Sequence, residues 1–167
     1  MKFLATFLIA ACLLPTARAV ESVPARLIGY YSNMRVEGAD DPHFVSGYNV
    51  ALYQREAETI GQVMVAIGSP EPAPATIRNL TYDPKKKLLT FTAEYSNGLA
   101  TNPVKGEPDR EALQVLTFSG IVRPQSISGK VGVKDFYCAQ CRPVFKRVTL
   151  KRISEMDSPG ALQSIAQ

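Results

Sequence analysis

An all-β, single-domain barrel of eight antiparallel strands in meander order is what the sequence predicts, and three observations carry the prediction. Between Leu27 and Arg152 the chain falls into eight short apolar or alternating segments separated by Gly, Pro, Asn and Asp. No long helical period and no internal repeat interrupts them. The connections are mostly tight turns without room for crossover helices, so sequence neighbours should pair in space, and closing the meander removes both exposed edges. A two-sheet sandwich is the alternative, because pairing of the first and last strands is not written in a single sequence.

The first segment, Leu27 to Val36, is rich in Tyr and apolar residues and ends in the turn-forming Glu37 to Pro42. The second, Ser46 to Gln54, places Tyr48, Val50 and Leu52 on one face, and the third, Ile60 to Ile67, does the same with Val63, Val65 and Ile67. Pro70, Pro72 and Pro74 lack amide donors, so Gly68 to Ala75 is expected to be an extended connection rather than part of a central strand. The fourth and fifth segments, Thr76 to Tyr82 and Leu88 to Tyr95, form a hairpin across the charged turn Asp83 to Lys87, with Leu89, Phe91, Ala93 and Tyr95 on one face. Ser96 to Glu111 is the longest stretch without period, a length of loop that is often functional. The sixth and seventh, Leu113 to Val122 and Ser126 to Phe136, meet at Arg123 to Gln125, and Gly129 and Gly132 suit the bends of a closing sheet. Cys138 to Cys141 makes the next turn before the eighth segment, Val144 to Arg152.

Residues 1–19 precede the barrel and read as an export signal. They carry a basic residue, an apolar run from Phe3 to Leu14 and the small-residue site Ala17-Arg18-Ala19. The run falls short of the roughly 20 apolar residues that an anchoring helix needs. Ile9-Ala10-Ala11-Cys12 offers the competing pattern, a lipobox making Cys12 a lipidated first residue, but Leu13 and Leu14 continue the run and favour cleavage after Ala19. Residues 20–153 are then the barrel domain, and 154–167 a tail, disordered or a short helix capped by Ser158 with Pro159 at its first position. The expected location is periplasmic or secreted.

Composition excludes several classes. With 46% hydrophobic and 20% charged residues the chain is neither collagen-like nor disordered. The net charge of +4 includes Lys2 and Arg18 of the signal, and dense basic groups are confined to Lys85 to Lys87 and to Lys146, Arg147, Lys151 and Arg152, so no nucleic-acid partner is expected.

No residue pattern selects a catalytic, cofactor or metal site. Cys138-Ala139-Gln140-Cys141 is the most specific motif, and an even pair in an exported chain reads as a structural disulfide. Redox exchange would need a βαβ setting, zinc would need two more ligands, and Arg142 stands where a haem-attachment motif requires His. His43, the single histidine, lies in the polar turn Asp40-Asp41-Pro42-His43 and lacks a nucleophile motif to serve. Glu94, Asp109, Glu111 and Asp135 sit near predicted strand ends, yet their spacing selects no acid–base pair. The seven tyrosines, Tyr30, Tyr31, Tyr48, Tyr53, Tyr82, Tyr95 and Tyr137, either fill the core or line a cavity. Asn79-Leu80-Thr81 fits a glycosylation acceptor in a glycosylating host.

In strand number, meander order and trailing segment, Leu27 to Ile153 resembles the calycin-like barrels of lipocalin and avidin type. Lipocalins place Gly-x-Trp in the first strand; here Gly29-Tyr30-Tyr31 occupies that place, and the chain has no Trp. The resemblance implies a barrel with a mouth that binds. The functional expectation is therefore a binding protein for a small apolar or amphipathic ligand, or for a protein partner through Gly38 to Phe44 and Ser96 to Glu111. A hydrolase or isomerase using carboxylate or tyrosine chemistry, and a structural or inhibitory role, are the alternatives.

Overall fold

The computed structural model describes residues 24–37, 44–69 and 71–154. The expected export signal, Cys12, His43 and the expected helix at Ser158 lie outside the described residues. Eight antiparallel strands close into a barrel: β1 (Arg26–Ser32), β3 (Val45–Arg55), β4 (Glu58–Ser69), β5 (Ala73–Asp83), β6 (Leu88–Ala100), β7 (Arg110–Arg123), β8 (Ser126–Asp135) and β9 (Val144–Ile153). A two-residue strand, β2 (Arg35–Val36), adds to the end of β3. From β3 to β9 each strand pairs with the next, and β1 closes the barrel with six register pairs to β3 and three to β9. The meander is thus a barrel and not a sandwich.

Three expectations need correction. The first predicted segment is not continuous: the chain kinks at Asn33 and Met34, where the Asn33 amide donates to the Tyr48 carbonyl (3.2 Å) and Asn33 Oδ1 accepts from the Tyr48 amide (2.8 Å). The kink is met by Gly47, whose φ of +134° suits glycine and whose Cβ would stand 2.7 Å from the Asn33 carbonyl oxygen. Gly68 to Ala75 is not all connection either. β4 runs to Ser69, and Ala73 to Ala75 pair with Val65 to Val63. Pro74 is accommodated because this stretch pairs with β4 alone, the pairing with β6 beginning at Thr76. The long loop shortens to residues 101–109, since β6 extends to Ala100 and β7 starts at Arg110.

The alternation read from the sequence forms the core. Leu89, Phe91, Ala93 and Tyr95 of β6 are all buried, and Phe91 stacks on its cross-strand neighbour Phe118 at 5.0 Å between centroids. Between β4 and β5, Ile77 and Leu80 reach over Gly61, where a Cβ would stand 2.7 Å from Leu80 Cδ1. Gly120 and Gly129 face each other across β7 and β8 so closely that a Cβ on Gly129 would meet the Ser119 and Gly120 backbone. Within this core lies a void of about 10 Å³, lined by Tyr48, Phe91, Phe118 and Leu150 among others.

The two ends of the barrel differ. At one end the connections are short and polar: Glu56 and Ala57, Pro84 to Lys87, and Pro124 with Gln125. Asp83 Oδ1 caps the middle one, accepting from the Lys85 and Lys86 amides at 2.9 and 3.1 Å. The longer connections gather at the opposite end.

Candidate functional site: the open end of the barrel

At the opposite end a cavity of about 560 Å³ opens to solvent above the packed core. Its position follows from strand parity: Tyr48 and Ser46 on β3, Val131 and Val133 on β8, and Val148 and Lys146 on β9 all line it. The lower wall is therefore apolar. The rim is charged, with Arg35, Glu37 and Lys146 around the opening. Arg35 Nη2 donates to Glu37 Oε1 at 3.1 Å; with a bond to Ser46 and the nearby Lys146, this holds the Glu37 carboxyl below the usual carboxylate range. Lys146 Nζ stands 5.7 Å from the centre of the Tyr48 ring and makes no ion pair among the described residues.

Beside Tyr48, on the inner wall of β6, the Tyr95 hydroxyl is buried without a hydrogen-bond partner among the described residues. Burial, reinforced by Tyr48, pushes its pKa up to about 12, so the phenol stays neutral and can donate. An unsatisfied buried hydroxyl is costly and is usually met by a partner.

Of the ten large apolar side chains exposed among the described residues, nine lie at this end, Leu27 being the exception. Leu99 and Val104 stand on the 101–109 side, Phe44 and Ile67 above β3 and β4, and Phe136 and Phe145 on the β8–β9 hairpin. Cys138 and Cys141 form the disulfide expected from their spacing, and it closes the tip of that hairpin. Next to it, the Arg110 guanidinium lies 3.9 Å from the centre of the Tyr137 ring, which in turn meets Phe136 edge to face.

The carboxylates named from the sequence are not brought together. Glu94 pairs with Arg78 at 2.6 Å, Asp135 accepts from the Tyr137 amide at 2.7 Å, and Asp109 and Glu111 are exposed. None of the four lines the cavity. Among the described residues, no three His, Cys, Asp or Glu side chains are placed to hold a metal ion. Tyr30, Tyr31, Tyr48 and Tyr95 are buried, Tyr53 and Tyr82 half-buried, and Tyr137 exposed. Asn79 lies exposed on β5, its amide donating to Thr92 Oγ1. The rim residues Arg35, Glu37, Ser46 and Lys146 were not singled out as a site by the sequence. The signal for Lys146 was there, because it shares the inward parity of Val148 and Leu150.

No family model, curated protein or solved structure matches the chain.

Proposed function

We propose that this barrel, of calycin-like type, is an exported binding protein that holds a small amphipathic ligand at its open end rather than deep in its interior. The observation that carries the reading is the cavity of about 560 Å³ with an apolar floor and a charged rim, far larger than the void of about 10 Å³ that Tyr48, Phe91 and Leu150 enclose beneath it. The disulfide is consistent with an oxidising, exported compartment, periplasmic or secreted. The ligand's apolar part rests on Val131, Val133 and Val148, and its polar part meets Lys146.

A protein partner gripped by the loops is the second reading, favoured by Leu99 at the end of β6 and Val104 on the connection to β7, which are 75% and 59% exposed. Native mass spectrometry of the protein purified from its own host separates the two. A co-purifying mass of small-molecule size, lost on denaturation and weakened by Val148→Glu, is the expected result. A bare chain, or a second polypeptide, would overturn the small-ligand reading.

A further inference from the structure

The segment from Lys134 to Arg147, the tip of the β8–β9 hairpin, concentrates two properties. Three exposed apolar side chains lie on it outside the cavity, Phe136, Tyr137 and Phe145, and a fourth, Val144, 83% exposed, stands at the cavity rim. Four cations flank them, Lys134, Arg142, Lys146 and Arg147, and none of these makes an ion pair among the described residues. The one acid in the segment, Asp135, is engaged at the Tyr137 amide. The remaining acids on the described part of this rim are Glu37, neutralised by Arg35, and the exposed Glu71, Glu107, Asp109 and Glu111 of other connections and strand ends. The disulfide pins the tip, so its apolar groups are presented without first having to be ordered.

We infer that this hairpin tip docks on a lipid surface bearing anionic headgroups. The argument is charge complementarity joined to exposure. Phe136, Tyr137 and Phe145 are exposed outside the cavity lining, so they are offered to a soft, receiving medium. The Arg and Lys side chains of the tip stand within a few residues of them, at the level where phosphate groups would lie. Among the described residues, the opposite end carries the cations Lys85 to Lys87 but has Leu27 as its one exposed large apolar side chain. The docking set shares Val144, Lys146 and Arg147 with the cavity lining, so the residues changed to test it, Lys134, Tyr137, Arg142 and Phe145, are taken from outside the cavity.

The chain contains no Trp, so Phe145→Trp introduces a single fluorophore at the tip. The protein is purified from its own host, its N-terminus fixed by intact mass, and mixed with vesicles of phosphatidylcholine with or without phosphatidylglycerol. The expected result is a blue-shifted emission on the anionic vesicles alone, quenched by brominated acyl chains and reversed by high salt. Adding Lys134→Gln and Arg142→Gln to the F145W protein should weaken this partitioning roughly tenfold or more. Tyr137→Ser with Phe145→Ser should weaken co-sedimentation by a similar factor, the melting temperature showing that both sets of variants remain folded. No emission shift, an equal shift on neutral vesicles, or partitioning unaltered in the charge variant would overturn the inference. So would binding to a soluble polyanion such as dextran sulfate with no response to vesicles.

Discussion

Tyr95 shows how one atom can work against the fold that contains it. Its ring belongs to the core, while its buried hydroxyl lacks a partner among the described residues. Removing the hydroxyl with Tyr95→Phe should raise stability near neutral pH by about 1 kcal/mol, measured by urea unfolding, because the desolvation cost disappears while the packing stays. The pH dependence has a definite sign. The folded-state pKa of about 12 lies above the ordinary tyrosine value, so stability is full below about pH 10 and is lost as pH rises towards 12. At about pH 11 the wild type should have lost about 1 kcal/mol more than Tyr95→Phe. Burial also raises Tyr31, so the variant flattens the alkaline decline in part. If Tyr95→Phe were instead clearly destabilising at neutral pH, the hydroxyl would have to be satisfied in solution.

Among the elements, the β8–β9 hairpin was the most legible. The spacing of Cys138 and Cys141 and the flanking alternation point to a cross-linked turn, and the disulfide closes it. In the chain-entropy model so short a loop contributes about 2 kcal/mol, so Cys138→Ser with Cys141→Ser should lower stability by about that much and leave the β-sheet circular dichroism intact. A loss of fold would mean that the tip organises the barrel. Gly129 was legible only as a bend. Its function is steric, and it appeared once Gly129 was placed opposite Gly120, because which strand faces which residue is a matter of register. Gly129→Ala should therefore cost about 2–4 kcal/mol in chemical unfolding, far more than an ordinary strand Gly→Ala change. Pro74 was misjudged for a related reason: a proline forbids a strand only where its missing amide has a partner waiting, and pairing on one side is invisible in a single sequence.

At the scale of the whole molecule, alternation identified the buried face of nearly every strand, whereas closure and the division into a polar end and an open end required three dimensions. The mouth residues come from strands far apart in sequence, so Arg35, Ser46 and Lys146 had no common pattern to betray them. Closure rests on a narrow seam, three register pairs between β1 and β9. Arg152 reinforces it: one guanidinium nitrogen donates to the Ile28 carbonyl at 3.0 Å and the other to the Pro124 carbonyl at 3.2 Å, tying β9 to the first strand and to the β7–β8 turn together. Its own amide donates to Gln125 at 2.9 Å, and the buried Tyr31 lies opposite it in register. Arg152→Ala removes the side-chain bonds but keeps the backbone one, so it should cost about 1–3 kcal/mol. Because the seam has only three register pairs, as few as β4 and β5 share, the loss should appear first as local opening: amide exchange at Tyr30 to Ser32 and Lys151 to Ile153 should accelerate while β6 and β7 remain protected. Uniform acceleration across all strands would instead show that the barrel opens as one cooperative unit and that Arg152 stabilises the whole ring.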